Sequence, residues 1–220
     1  MNTVRLEFHC HTIYSRDSLT GIENLLATCR KKRIDRLVIT DHNTIAGAQL
    51  AKRLDPDRVI IGEEIMTGKG ELLAAFVSEE IPSGLTPLET IARLRDQGAF
   101  ISVSHPFDEQ RKGHWEIEDL QEITPYVDAI ETFNARCMSD QYNRQAQEFA
   151  RENGLSGTAG SDAHATFEVG RACMILDDFS GPKSLKSALV TARFDARLSS
   201  PFVHLVSRYA VWHKRVISRK

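Results

Sequence analysis

Two histidines separated by one residue, His9 and His11, stand near the start of the chain at the end of a predicted β-strand. Alternate residues of a strand point to the same side, so both imidazoles would face one point while Phe8 and Cys10 face the other way and pack. Two imidazoles held on a rigid strand supply half of a metal site. Further ligands would then have to lie at the ends of other strands.

Histidines and acidic residues do follow most of the other predicted strands. The candidates at strand ends are His9, His11, His42, Glu64, His105, Asp162 and His164. In a parallel α/β barrel the carboxyl ends of all strands open on one face, so these side chains would converge. A single histidine at a strand end is more often a satisfied hydrogen-bonding group. Five of them among acids would cost several kcal/mol to bury unless cations bind there.

The predicted ligands are nitrogen and oxygen donors with no obvious thiolate, a set that suits Zn²⁺, Mn²⁺ or Fe²⁺. Divalent ions a few Å apart activate water, hold phosphate oxygens and stabilise charge on a leaving oxygen. Such a centre also attacks carbonyl carbon, so hydrolysis of an amide or carbamate is an alternative function. A metal-stabilised module without catalysis is a third.

Apolar runs and turn signals predict an alternation of strands and helices. The predicted strands are residues 5–11, 37–40, 59–61, 72–77, 100–104, 127–132 and 155–159, with one more at 172–176. Helices are expected between most of them, for example from a capping box at Thr86 and Glu89. This alternation is typical of a parallel sheet with right-handed crossovers.

Composition restricts the class of protein. The chain has 220 residues, 41% of them hydrophobic and 26% charged, as in a globular protein with one substantial core. The net charge of −2 does not favour nucleic-acid binding, and no apolar run approaches the roughly 20 residues that a membrane span needs. The four scattered cysteines and the lack of a signal peptide favour a cytoplasmic protein with free thiols.

Five short motifs in order make the chain similar to a known family. They are His9-Cys10-His11, Ile39–Thr44, Gly62–Ile65, Ser104–Pro106 and Gly160–His164. Together they resemble the PHP (polymerase and histidinol phosphatase) family of metal-dependent phosphoesterases, over about residues 4 to 195. The last motif and the Glu-Val-Gly-Arg run after it are similar to the small stand-alone members. The resemblance implies an α/β fold, a distorted seven-stranded (β/α)7 TIM-like barrel, over residues 1–195.

The resemblance also implies two or three divalent ions (Zn, Mn or Fe) per chain. The implied ligands are His9, His11, Glu64 and Asp162 for one ion, Glu64 and His105 for a second, and Asp17, His42 and His164 for a third. Glu63 competes with Glu64; Glu64 is preferred because it matches the acid before Ile in the family pattern, and Glu63 would then point to the opposite face of the strand.

Two residues depart from the family pattern. Glu7 stands where the family usually has Asp. Glu71 stands where many members place a histidine ligand of the second ion, so either this carboxylate replaces the histidine or the second site is weaker.

The implied reaction is attack of a metal-activated hydroxide on the phosphorus of a small phosphorylated substrate, a nucleotide or sugar phosphate. The candidate catalytic residues are His42, His164 and Asp162, and the general acid is His164, His42 or a metal-bound water. Arg16, Arg136 and Arg171 are candidates for holding the phosphate. Asn134 would touch substrate or metal-bound water, or else cap a turn.

The basic tail, residues 196–220, is a separate feature. From Arg197 onward there are six Lys or Arg and no acidic residue. Ser199 to Pro201 predict a helix start, and the apolar residues that follow at helical spacing predict a stripe packed on the barrel. The alternatives are a nucleic-acid contact, an anionic-membrane contact or an oligomer interface. The oligomeric state is left open.

Overall fold

A single sheet organises the protein, and the computed structural model describes it within residues 2–217. Its nine strands lie in the order β7-β6-β5-β4-β3-β2-β1-β8-β9. They are Thr3–Glu7 (β1), Arg36–Ile39 (β2), Val59–Met66 (β3), Glu71–Ala75 (β4), Phe100–Val103 (β5), Ala129–Asn134 (β6), Ser156–Gly160 (β7), Ala172–Asp177 (β8) and Arg193–Ala196 (β9).

Seven α-helices accompany the strands within the described residues. They are Ile22–Lys31 (α1), Ala46–Leu54 (α2), Pro87–Asp96 (α3), Ile117–Ile123 (α4), Asp140–Glu152 (α5), Pro182–Leu189 (α6) and Val203–Ile217 (α7). The predicted capping box of α3 is present: Thr86 accepts from the Glu89 amide, and the Glu89 side chain accepts from the Thr86 amide. No helix in the described part of the chain has the length and apolar character needed to cross a membrane.

The sheet curls into a nearly closed barrel made by β1 to β7. Closure occurs just after β1 and β7, where Cys10 and Ala163 form a parallel bridge and the His11 amide donates to the Ala163 carbonyl at 2.9 Å. The prediction of an α/β barrel is confirmed, but the count of seven strands is wrong for the whole sheet. Strands β8 and β9 extend it beyond β1.

The prediction that the sheet is entirely parallel is also wrong. Strands β3 and β4 are joined by a hairpin, so β4 runs antiparallel to both β3 and β5. The turn is short because Thr67 donates its amide to the Gly70 carbonyl at 3.0 Å, leaving no room for a crossover helix. As a result the first residue of β4, Glu71, lies beside the end of β3 rather than at the opposite end of the barrel.

The barrel interior is filled by a cluster with members from all seven of these strands. Phe8 and Phe100 meet there edge to face, with ring centroids 5.7 Å apart. Cys10 belongs to a different cluster, beneath α1 and α2. The expectation that Phe8 and Cys10 pack on one side is wrong, because β1 ends at Glu7 and the strict alternation of side chains ends with it.

The tail forms helix α7, and the predicted packing of its apolar stripe is wrong. The helix buries Val203 and Ala210, whereas the stripe that includes Leu205, Tyr209 and Trp212 faces solvent. Residues 218–220 of the predicted tail lie outside the described residues. All four cysteines are buried and free, as expected.

Candidate metal centre

The first group of candidate ligands lies directly after β1. The Nε2 atoms of His9 and His11 are 3.1 Å apart, and each is 3.3 Å from Oε2 of Glu64. The Oδ1 atom of Asp162, beyond β7, lies 3.3 Å from Nε2 of His11. All four side chains are buried. Four donor atoms from distant parts of the chain therefore surround one point.

The second nitrogen of each histidine in this group is held by another residue. Nδ1 of His9 lies 2.9 Å from Oε1 of Glu131, and Nδ1 of His11 lies 3.1 Å from Oγ of Ser15. Ser15 in turn donates to Asp41 at 2.6 Å. Such contacts orient the imidazoles and leave both Nε2 atoms directed into the group.

A second group is built around the other oxygen of Glu64. Oε1 of Glu64 lies 3.2 Å from Nε2 of His105, which is also 3.5 Å from Oε2 of Glu71. Oε1 of Glu71 lies 3.7 Å from Nδ1 of His42. A Cβ at position 113 would come within 2.0 Å of Oε2 of Glu71, so the close approach requires Gly113. The reversal of β4 thus places Glu71 among the candidate ligands.

A third group lies nearer to solvent. Oδ2 of Asp17, on the loop after β1, is 3.2 Å from Nε2 of His164 and 3.5 Å from Nε2 of His42. The opposite nitrogen of His42, Nδ1, is 3.0 Å from Oε2 of Glu64. Together with its contact to Glu71, this places His42 between the third group and the two groups that share Glu64.

The residues fit divalent ions on the evidence of their unpartnered atoms. Among the described residues, five buried atoms of the candidate ligands make no hydrogen bond: Asp17 Oδ1, Glu64 Oε2, His105 Nδ1, His105 Nε2 and Asp162 Oδ1. Buried polar atoms without partners are costly, and bound cations would remove that cost. Three triads of donors, one made of histidines alone and two that include Glu64, occur in the same region, each with its atoms within 4.8 Å of one another.

The electrostatics of the groups also favour cations. Burial disfavours the charged form of Glu64, but the positive charges of His9 and His42 outweigh it and hold the pKa of Glu64 well below its usual range. Burial likewise opposes ionisation of Asp162, and nearby Arg111 and His9 nevertheless lower its pKa. Burial, with His164 and His42 nearby, lowers the pKa of His11 to about 3. Ionised carboxylates and the neutral imidazole of His11 are forms that bind metal ions, whereas at His9 and His42, whose pKa values the neighbouring carboxylates raise against burial, a bound ion would take the place of the proton.

Two of these residues have unusual backbone conformations. Asp162 has φ of 50° and His105 has φ of 20°, whereas most L-residues avoid positive φ. Asn134 supports the first of them, because its Nδ2 donates to Oδ2 of Asp162 at 3.2 Å and to Oε2 of Glu131 at 3.0 Å. Strain held in this way is typical of functional sites.

A cleft of about 380 Å³ opens over the third group. Asp17, His42, Glu71 and His164 line it from the metal side. Helix α7 forms part of the opposite wall through His204 and Ser207. A substrate in this cleft would contact the second and third groups directly.

The predicted substrate-binding residues fall in three different places. Arg136 lines the cleft, but its two terminal nitrogens contact His164 Nδ1 at 2.5 Å and Ser207 Oγ at 2.8 Å. Asn134 is buried beside Asp162, as described above. Arg171 donates to the Leu198 carbonyl at 3.1 Å and does not line the cleft.

Two residues of the site were missed by sequence reasoning. Arg111 lines the cleft, lies 2.6 Å from Oδ2 of Asp162, and has a buried Nη2 that meets no acceptor among the described residues. It lies in a polar loop, where no periodic sequence pattern indicates which side chains face the site. Glu131 sits inside β6, three residues before Asn134, so strict alternation would place the two on opposite faces; a register shift between Glu131 and Phe133 lets them meet. Glu63, the competing acid, faces away and accepts from the Ile81 amide at 3.1 Å.

The protein has a barrel-like α/β fold whose strand ends bring His and acidic candidate ligands into adjoining groups. This combination of fold and site is typical of the class of metal-dependent hydrolases. Family comparison agrees. Residues 7–93 match the PHP domain and residues 140–193 match the PHP-associated region that follows it. The chain belongs to the PHP family.

Individual relatives are consistent with this assignment. An uncharacterized protein of Methanocaldococcus jannaschii is 37% identical over 172 residues, which cover 77% of this chain and 69% of that protein. PsfC from Pseudomonas syringae PB-5123 has a similar structure, with a TM-score of 0.70, 19% identity and coverage of 97% and 99% of the two chains. A two-domain protein from Bacteroides vulgatus, containing a predicted PHP-like metal-dependent phosphoesterase, also has a TM-score of 0.70, at 16% identity, covering 95% of this chain and 70% of that one.

Proposed function

We propose that this protein is a metal-dependent phosphoesterase that hydrolyses a small phosphorylated substrate, a nucleotide or a sugar phosphate. The observation that carries the proposal is the position of Glu64. Its Oε2 lies within 3.3 Å of His9 and His11, and its Oε1 lies 3.2 Å from His105. One carboxylate thus joins two groups of candidate ligands, as expected of a bridge between two ions.

The proposed ligands follow the three groups. His9, His11, Glu64 and Asp162 hold the first ion, Glu64, Glu71 and His105 the second, and Asp17, His42 and His164 the third. Nitrogen and oxygen donors of this kind suit Zn²⁺, Mn²⁺ or Fe²⁺. When bound, such ions lower the pKa of water and neutralise charge on phosphate oxygens.

The cleft supports a small substrate. Its volume of about 380 Å³ lies at the lower end of the range typical of small-molecule sites. The cleft is also lined by three basic side chains, Arg16, Arg111 and Lys112. An anion that enters the cleft would therefore meet positive charge from these residues. The free Nη2 of Arg111 is the proposed donor to a phosphate oxygen.

The chain's own residues account for orientation. His42 and His164 are the histidines of the proposed ligand set that line the cleft, so they would hold the third ion beside the substrate, and water in the cleft is the proposed source of a proton for the leaving oxygen. Arg136 holds His164 rather than the substrate, since its Nη1 contacts Nδ1 of that ring. Asp162 does not line the cleft, so its proposed role is that of a ligand of the first ion.

The test is hydrolysis of a panel of esters by protein that has been stripped with a chelator and reloaded with Mn²⁺ or Zn²⁺. We expect metal-dependent cleavage of phosphate esters, with at least about a thousandfold loss in the double variant His9→Ala and His11→Ala. The double variant His114→Ala and His213→Ala changes two histidines outside the proposed ligand set and should keep full activity. A preference for carboxylic esters or amides would reject the phosphoesterase and favour hydrolysis at carbonyl carbon.

A further inference from the structure

Helix α7 carries an apolar stripe that the rest of the described chain leaves uncovered. Leu205, Tyr209, Trp212 and Val216 recur at helical spacing and are 57%, 53%, 59% and 42% exposed. Phe202, just before the helix, is 75% exposed. A row of large apolar side chains in water marks an interaction surface, whereas single exposed ones do not.

The stripe is not the face by which the helix is held on the barrel. On the opposite side, Val203 and Ala210 are buried and Ser207 accepts from Nη2 of Arg136 at 2.8 Å. Nζ of Lys214 donates to the carbonyl of Ile13 at 2.6 Å. Because one face already fixes the helix, the exposed stripe is available to something outside the molecule.

The charge around the stripe indicates what that partner is. The segment from Arg197 to Lys220 has six basic and no acidic side chains, while the preceding 196 residues have 22 basic and 30 acidic ones, a formal charge of −8. Arg208 and Arg215 are exposed and precede Tyr209 and Val216 directly, so they border the stripe. The partner must therefore accept apolar side chains and positive charge along the same line.

An anionic lipid surface meets both demands. Two copies of α7 paired through the stripe would bring their own arginines together, which is unfavourable. A nucleic acid would neutralise the arginines but leave Leu205 and Val216 in water. Interfacial helices place Leu, Trp and Phe at the boundary of acyl chains and headgroups, with Arg and Lys at the lipid phosphates. We propose that α7 docks this protein on anionic membrane surfaces through the stripe formed by Phe202, Leu205, Tyr209, Trp212 and Val216.

Cosedimentation of the full chain with vesicles tests this directly. We expect binding to phosphatidylcholine vesicles that contain phosphatidylserine, weak or no binding to pure phosphatidylcholine, and release at high salt. The double variant Leu205→Glu and Trp212→Glu should abolish binding. Arg208→Gln and Arg215→Gln should each weaken it about fivefold. Val190→Glu changes an apolar residue that is 79% exposed but lies outside α7, and it should bind as the unchanged chain does.

Two further measurements distinguish other partners. Analytical ultracentrifugation should show no self-association that Trp212→Glu disrupts, and a short DNA duplex should not compete with the vesicles. Binding to DNA without binding to vesicles, a dimer dissociated by Trp212→Glu, or equal binding to neutral and anionic vesicles would overturn the proposal. Hydrolysis of a soluble ester should be unchanged in the stripe variants, so these results stand apart from the test of the phosphoesterase.

Discussion

The backbone amide of Ser161 donates a hydrogen bond of 2.9 Å to Oε1 of Glu7, joining the first candidate ligand motif to the last across 154 residues. Oε2 of Glu7 accepts from the Ser161 hydroxyl and from the Gly170 amide, the latter at 2.8 Å. The carboxylate is fully buried. The residue that departs from the family's usual Asp thus positions His9 and Asp162 relative to each other.

Replacement of Glu7 should therefore destabilise the fold. In Glu7→Ala, four donors lose their acceptor, namely the amides of His9, Ser161 and Gly170 and the Ser161 hydroxyl, and we expect a loss of about 3 kcal/mol or more in the free energy of unfolding, measured by urea denaturation. Glu89→Ala, at the exposed capping box of α3, is the matched control and should lose much less stability than Glu7→Ala. Equal losses in the two variants would show that Glu7 does not hold the motifs together.

Glu71 provides a test of the second ion. Removing its carboxylate in Glu71→Ala should lower the number of Mn²⁺ ions bound per chain by one, as measured by elemental analysis after equilibrium dialysis. Glu71→His, the residue that many family members have, should restore it. Glu63→Gln is the control, since Glu63 faces away from the groups. An unchanged metal content in Glu71→Ala would exclude this carboxylate as a ligand.

Arg111 should contribute to binding of the phosphate in the transition state. Because a hydrogen bond to a charged group contributes about 1.5–3 kcal/mol, Arg111→Met should lower kcat/KM about 10- to 100-fold. Metal content must be measured in parallel, since Arg111 also contacts Asp162. Arg171→Met, outside the cleft, should change kcat/KM little. If kcat/KM falls only in proportion to the metal content, Arg111 supports Asp162 and does not bind the phosphate.

Asp128 should contribute to the pH dependence of stability. Burial raises its pKa, but the hydrogen bonds from Arg95, the Ile101 amide and Lys186 outweigh burial and bring the pKa below 3.8. A carboxylate with a lowered pKa stabilises the fold above its unfolded pKa, and this contribution is lost as pH falls through the folded value.

The variant Asp128→Asn should therefore show a smaller loss of stability as the pH falls below about 5, in urea titrations at each pH. Asp178→Asn removes an ion pair with Arg36 at the surface and serves as control. The same acid dependence in Asp128→Asn and in the unchanged chain would contradict this account.

Much of the arrangement followed from local patterns. His9, His11, His42, His105, Asp162 and His164 were predicted because each follows a recognisable strand, and the structure brings them together. The inferences about these six residues needed only the period of a strand and the geometry of a barrel. The choice of Glu64 over Glu63 also needed the resemblance to the family, because alternation shows only that the two face opposite sides.

Other features depended on tertiary structure that the sequence does not reveal locally. Glu71 reaches the candidate ligands because β4 is reversed, and a hairpin and a crossover cannot be distinguished from the apolar run itself. Arg111 lies in a loop, where no sequence periodicity predicts which way a side chain points. The stripe of α7 has the spacing of a buried face, but burial depends on whether a partner surface exists, and here the helix is held by Val203, Ser207 and Ala210 instead.

The most direct test of the metal centre is anomalous X-ray scattering from crystals loaded with Mn²⁺. The account predicts at least two anomalous peaks, one contacting Oε2 of Glu64 together with His9 and His11, and another contacting Oε1 of Glu64 together with His105. Crystals with no peak between His9 and His11, or with manganese that does not touch Glu64, would contradict it.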